Sequence, residues 1–347
     1  MLSKIKAWAS MPWYAMQVLT GQKAFKGNPI LTSERLNRRG LHVWRVRTAH
    51  RLAAYRRRKL EHLVAAEDRE AFDRNGYIER RDLLPPDRFR QVMKEVESLR
   101  MPAREMYEGN AVTRRTPLTP DVLANMPALR ALLDSAEWKN RISYVGSFRN
   151  EPVLSIQTIF SDASPREKGK DPQTNLHMDT FHPTVKAWYF LHDIVEEEGP
   201  FTYVPGSHKL TRRRLAWQKR KSILASRKAD GGSFRLQATD LKYLRLPQPT
   251  VFSVPANTLV VGDTFGFHAR GPSSRPSVRI EIYATQRPNP FIPFVNLDSA
   301  VLPFVRGRKQ VIPWYFEDLL LKLGIGRRRW YPVGAPAPGE PVPQAEG

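Results

Sequence analysis

Asn175-Leu-His-Met-Asp179 and, ending 89 residues after its aspartate, Asn257-Thr-Leu-Val-Val-Gly-Asp-Thr-Phe-Gly-Phe-His268 carry the reading of this chain. On an extended strand, side chains two apart point to the same face, so His177 and Asp179 reach one point while Met178 turns away. The second stretch is an apolar run that reads as a strand opening into a turn, and it ends on His268. Two imidazoles and one carboxylate on a single triangular face leave three coordination positions open. That is the pattern of non-haem Fe(II) sites rather than of closed structural ones. A lone His-x-Asp recurs by chance, so its weight depends on what agrees with it.

Arg279 agrees with it. In Val278-Arg-Ile-Glu-Ile-Tyr283 the apolar residues alternate with Arg279, Glu281 and Tyr283, so the arginine points opposite to the apolar set. A guanidinium on the inner wall of a barrel needs an anion, and its planar fork suits a carboxylate held bidentately. The competing reading is a salt bridge to Glu281 or a solvated outer face.

The order of motifs resembles the phytanoyl-CoA dioxygenase-like branch of the Fe(II)/2-oxoglutarate oxygenases, over approximately residues 66 to 290. The resemblance begins with Ala71-Phe-Asp-Arg-Asn-Gly-Tyr-Ile-Glu-Arg-Arg-Asp-Leu-Leu-Pro85, which looks like the family's opening helix, short strand and entry to a new helix. It continues through the His177 motif, Ala187-Trp-Tyr-Phe-Leu-His-Asp-Ile194 and Glu198-Gly-Pro-Phe-Thr-Tyr-Val-Pro-Gly-Ser-His208, the last being the most diagnostic block. His268 and Arg279 complete the order.

The resemblance implies that His177, Asp179 and His268 ligate Fe(2+) and that Arg279 clamps the distal carboxylate of 2-oxoglutarate. It also implies O2 as oxidant, with ascorbate as a supporting reductant. Related halogenases have a small residue in place of the carboxylate, so Asp179 favours hydroxylation. Trp188 sits where the family lines its 2-oxoglutarate pocket, with core packing as the competing reading. Gln157 or Thr158 would reach the iron-proximal carboxylate. Arg270, in His268-Ala-Arg-Gly-Pro-Ser-Ser274, is expected to face the substrate. His208 in its Pro-Gly turn reads as a structural corner, and His182 and His192 as structural or near-site residues. Zero cysteines exclude thiolate metal sites, cysteine nucleophiles and disulfides.

The expected fold is an α+β, mainly β chain: a double-stranded β-helix of jelly-roll, cupin-like type with flanking helices. Short strand-like runs fill residues 140–290, and residues 66–135 carry helical patterns such as that starting at Pro86. The chain divides into a basic, aromatic-containing N-terminal extension (1–65), an oxygenase domain (66–295), a basic amphipathic segment (296–330) and a Pro-rich tail (331–347) expected to be disordered.

The net charge of +22 is concentrated outside the iron-site region. Residues 1–65 hold 14 Lys and Arg against 2 Glu, and residues 211–228 hold 8 basic residues and no acidic one. Trp8, Trp13, Tyr14 and Trp44 interleave the first stretch, and Trp314, Tyr315, Phe316 and Trp330 the third, at residues 301–330. Tryptophan and tyrosine favour the lipid headgroup zone, and neighbouring cations are drawn to anionic lipid. Phe316 to Leu323 followed by three arginines therefore reads as an interfacial helix, and the protein as a peripheral membrane enzyme acting on an anionic, lipid-linked substrate. The expected location is cytoplasmic, on the inner face of a membrane, because no clean signal-peptide core follows Met1. The competing reading packs these aromatics on the barrel or at a subunit interface. Three other functions compete: a soluble small-molecule biosynthetic oxygenase, a nucleic-acid demethylase using the basic stretches for phosphate, and a non-catalytic binding module. The last would be expected to have lost a ligand or the arginine, and no obligate nucleic-acid partner is expected.

Overall fold

The computed structural model describes residues 10–161 and 171–341 of the 347-residue chain. Within them the strands are β1 (Tyr77–Arg80), β2 (Arg104–Glu108), β3 (Ala111–Pro117), β4 (Val153–Ser161), β5 (Val185–Phe190), β6 (Phe201–Tyr203), β7 (Thr250–Val251), β8 (Thr258–Asp263), β9 (His268–Arg270), β10 (Ser277–Gln286) and β11 (Tyr331–Pro332). One antiparallel sheet has the order β1-β8-β5-β10-β4-β3-β2-β11, and a smaller one the order β7-β6-β9. This is the expected double-stranded β-helix with flanking helices.

Alternation along β10 decides which residues reach the interior. Ile282 and Ala284 join Ile156, Ala187, Leu259 and Val261 in a core that packs the outer face of the large sheet against the Ala136–Gly146 helix. The opposite set looks inward: Tyr283 is buried with Trp188, Phe201, Tyr203 and Phe252 between the two sheets. Burying each large apolar side chain contributes roughly 1.5–3 kcal/mol, so a one-residue slip in β10 would forfeit both cores at once. The Ala66–Asn75 helix stops at Gly76, whose φ of 91° suits glycine. A Cβ there would lie 2.4 Å from Nδ1 of His208, so the helix end and the Pro-Gly corner are packed face to face. His208 packs against Phe72 with the rings tilted by 51° and the centroids 5.2 Å apart.

Three parts differ from the sequence expectation. Residues 104–117, read as part of a helical region, form the β2–β3 hairpin around Gly109 and Asn110. Its alternation is masked because Arg114, on the outer face, is buried and paired with Glu105 at 2.6 Å. The Pro-rich tail, expected to be disordered, is ordered over residues 331–341. β11 pairs with β2, and Arg114 donates to the carbonyls of Ala337 and Glu340. Residues 342–347 lie outside the described residues, as does Trp8.

The N-terminal stretch is woven into the core. In the Leu41–Leu60 helix, Arg45 and Arg56 are 2% and 1% exposed and face inward. Arg45 sits over the Phe181 ring, and Arg56 over that of Phe148. Both guanidinium groups donate to backbone carbonyls, Arg45 to Val18, Thr20 and Gln22, and Arg56 to Ser147 and Ile292. Hydrogen bonds from a charged donor are worth about 1.5–3 kcal/mol each, and buried carbonyls left without them would be destabilising. Arg45 and Arg56 are thus internal, while most of the other basic side chains of this stretch are exposed. The segment expected to form an interfacial helix, Phe316 to Leu323, lies largely within a helix over Val311–Lys322, with Trp314 buried against Arg104 and with Tyr315, Phe316 and Leu319 exposed. Among the described residues no helix is long and apolar enough to cross a membrane.

Burial pushes His42 down to about 4 and His208 down to about 3. These rings are neutral in the fold and take up protons on unfolding, so stability is full above the unfolded histidine range and falls with pH below it. The urea midpoint should therefore drop between about pH 6.5 and 5, above the range where carboxylates titrate. A flat midpoint across that window would contradict buried neutral histidines.

Candidate metal centre

His177 and His268 are directly opposed. The amide of each donates to the carbonyl of the other at 3.0 Å, an antiparallel hydrogen-bonded pair that puts both imidazoles on one side with ring centroids 4.7 Å apart. Asp179 is fixed two residues on by its own amide, which donates to the Thr264 carbonyl at 3.0 Å. Met178 turns away, fully buried, and its sulfur accepts from Arg214 and Gln218. The strand-to-turn reading of residues 257–268 is also what is seen: β8, a turn anchored on Asp263, then β9.

The ring nitrogens divide their work. Nδ1 of His177 lies 2.8 Å from the Asn175 carbonyl and Nδ1 of His268 lies 3.0 Å from that of Gly266, which assigns the proton to Nδ1 in each ring. Both Nε2 lone pairs are left facing Asp179 Oδ1, at 3.8 and 3.6 Å. One ligand atom from each of the three residues lies within 4.8 Å of the others, and Nε2 of His268 is buried without a hydrogen-bond partner. Burial and His268 push His177 down to about 3, so it is a neutral donor. Burial alone would raise Asp179, yet Lys186 and Arg287 hold it well below the usual carboxylate range. Two imidazole Nε2 atoms turned toward an ionised carboxylate are a donor set that fits Fe(II).

His177 and His268 open into a cavity of about 150 Å³. Arg279, Trp188, Gln157 and Arg270 line it with both histidines. Arg279 is 4% exposed, and its Nε donates to Glu281 at 3.1 Å while Nη1 donates to the Gly199 carbonyl. Glu281 is itself held by Gln157 at 2.6 Å. Arg279 therefore both faces the cavity and makes the local salt bridge that was its competing reading. Arg270 pairs with Asp171 at 2.7 Å. Trp188 packs on Phe201 with centroids 4.1 Å apart. Thr158 does not join them. It pairs across the sheet with Ile280 on the outer face, and its hydroxyl donates to the Pro338 carbonyl at 2.7 Å. Strand parity decides this: of two consecutive residues only one can face inward, and here it is Gln157. His182 is buried near the site and His192 is exposed.

Several cations beside the triad carried no sequence expectation. Lys186 lies 2.8 Å from Asp179 Oδ2 and lines the cavity. Its position two residues before Trp188 on β5 was the available clue. Arg287 lies 3.6 Å from the same oxygen, and Lys23 donates to the Asp179 carbonyl at 2.7 Å. A larger cleft of about 860 Å³ lies against the Ala136–Gly146 helix, but none of the triad lines it, so the chemistry is assigned to the smaller cavity.

In anaerobic calorimetry the protein should bind one divalent transition-metal ion, and His177→Ala or Asp179→Ala should weaken binding by at least about 100-fold. Wild-type affinity in either variant would show that the triad holds no metal.

The family profile for phytanoyl-CoA dioxygenase matches residues 72–241, which include His177 and Asp179 but stop short of His268 and Arg279. No curated protein sequence matches the chain. Among solved structures, the non-haem alpha-ketoglutarate-dependent epimerase SnoN from nogalamycin biosynthesis is 18% identical, covering 65% of this chain and 82% of its own, with a TM-score of 0.42. HygX from Streptomyces hygroscopicus, with nickel and 2-oxoglutarate bound, is 18% identical over 64% of this chain and 86% of its own, with a TM-score of 0.40. EctD from S. alaskensis is 14% identical over 64% and 76%, with a TM-score of 0.37. These likenesses are distant, and the assignment rests on the family match and the triad. The protein is a non-haem Fe(II), 2-oxoglutarate-dependent oxygenase whose residues 72–241 match the phytanoyl-CoA dioxygenase family.

Proposed function

We propose that this oxygenase is a hydroxylase of an anionic substrate, with His177, Asp179 and His268 holding iron and Arg279 receiving the distal carboxylate of 2-oxoglutarate. The observation that carries the reading is that both imidazoles and the inward-facing arginine line one small cavity, with Asp179 completing the metal set. When bound, iron and 2-oxoglutarate supply oxidising power from O2, so that 2-oxoglutarate leaves as succinate and carbon dioxide while a substrate C–H becomes C–OH. The chain's own groups do the rest. Glu281 and the Gly199 carbonyl fix the guanidinium of Arg279 so that it meets a carboxylate without first reorganising. Gln157 steadies Glu281 in turn. Trp188, Phe201 and Tyr283 wall the cavity and keep bulk water from the reacting centre.

The anionic preference is supported by the cations at the cavity. Lys186 and Arg115 line it beside Arg270 and Arg279. Purified protein with Fe(II), ascorbate, O2 and 2-oxoglutarate should form succinate. Arg279→Ala should raise the KM for 2-oxoglutarate by about 10–100-fold, the loss of a charge-assisted carboxylate contact. Succinate formation unchanged in that variant would remove Arg279 from the cosubstrate site.

A second reading, peripheral association with anionic membranes, is supported by apolar side chains exposed within residues 294–323. Phe294, Val301, Phe304, Tyr315, Phe316 and Leu323 are each more than half exposed, and Arg327, Arg328 and Arg329 follow in sequence. On this reading the protein floats with phosphatidylglycerol vesicles and not with phosphatidylcholine, and Phe316→Asp lowers the bound fraction by about tenfold. Equal recovery in the unbound fraction with both lipids would reject it.

A further inference from the structure

Three cations from three separate stretches meet at Asp179. Lys186 comes from β5, Arg287 follows the end of β10, and Lys23 comes from the N-terminal stretch, where its ammonium also donates to the Ser233 hydroxyl. The placement of Lys23 is built rather than incidental. Arg45 holds the carbonyls of Val18, Thr20 and Gln22 at 2.9, 2.9 and 2.7 Å, and the Phe25 amide donates to Asp230 at 2.8 Å. Gly232 lets the strand of chain pass: a Cβ there would lie 2.1 Å from the Lys23 carbonyl oxygen.

Charge at this spot does not balance. Arg270 has Asp171 and Arg279 has Glu281. Among the described residues, Asp179 is the only carboxylate within ion-pair distance of Lys186 or Arg287, and none lies that close to Lys23. Asp179 is also the anionic member of the metal set, so it cannot neutralise three cations as well as a divalent ion. Two of the three are reachable from outside: the Arg287 side chain is 45% exposed and that of Lys186 is 21% exposed, a gradient running from the surface to the cavity wall.

We propose that Lys23, Lys186 and Arg287 form the seat of a phosphoryl group on the substrate, holding it beside the metal set; this rests on the oxygenase reading above. A planar carboxylate is best met by one bidentate arginine, which Arg279 already provides. Three donors arriving from separate directions instead suit an anion whose oxygens diverge, and lysine serves phosphate as a point charge. The seat fixes one end of the substrate, so that the C–H bond to be attacked is chosen by its distance from the phosphoryl group.

The test uses the full chain loaded with Ni(II) and 2-oxoglutarate, titrated calorimetrically with phenyl phosphate, benzoate and phenol. Phenyl phosphate should bind more tightly than either of the others, and Arg287→Gln and Lys23→Gln should each weaken it by about tenfold or more. Ni(II) titrations of both variants check the metal set, and the exposed Arg287 keeps the test independent of any collapse of the N-terminal stretch. A parallel arm with phosphatidic acid against phosphatidylcholine vesicles distinguishes a lipid headgroup from a soluble phosphate ester as the source. Phenyl phosphate binding no tighter than phenol, or binding indifferent to Arg287→Gln, overturns the seat. Failure of the wild type to bind Ni(II) or 2-oxoglutarate overturns the oxygenase reading instead, and it is seen before any phosphate is added.

Discussion

Two backbone hydrogen bonds, the reciprocal pair between His177 and His268, set the geometry on which this site depends. They are ladder bonds like any others in a small sheet, yet they convert two residues far apart in sequence into neighbours with a fixed separation. The orientation of the rings follows from further carbonyls, those of Asn175 and Gly266, which take the Nδ1 protons. The chemistry is thus specified by main-chain groups, and side-chain identity supplies only the donor atoms. Backbone bonds of this kind survive substitution of the side chains around them.

The large sheet serves that geometry by parity. β10 sends Arg279, Glu281 and Tyr283 inward and Ile280, Ile282 and Ala284 outward, so one register holds the helical layer in place and delivers an arginine to the cavity. Parity also separates Gln157 from Thr158. The first becomes part of the chain of contacts that aims Arg279, and the second helps to seat the C-terminal segment on the opposite surface. Neighbouring residues on one strand have unrelated duties.

The convergence of His177, Asp179 and His268 and the inward turn of Arg279 were readable in the sequence because alternation and spacing are local signals. The His177 motif, the run to His268 and the parity of Arg279 all give their directions without knowledge of contacts. The roles of basic residues were not readable in that way. Composition counts Arg45, Arg56 and Arg214 as surface charge, whereas all three are buried, donating to main-chain carbonyls or packing on aromatic rings. Only tertiary structure reveals which carbonyls need a partner. Lys23 is the extreme case, since no pattern in its neighbourhood points to a residue more than 150 positions away in the chain. The Pro-rich tail misled for a related reason: lacking donors, it offers carbonyls, and Arg114 supplies what a regular strand partner would have given.

The sequence match to the family ends at residue 241, while the metal set closes at His268 and its rim is reached by a segment that starts before residue 24. A modular boundary drawn where similarity fades would pass through the middle of the functional unit. Such a chain cannot be exchanged or recombined as a compact cassette. A change in the N-terminal stretch at Lys23 reaches the backbone of Asp179 although it lies outside the matched residues.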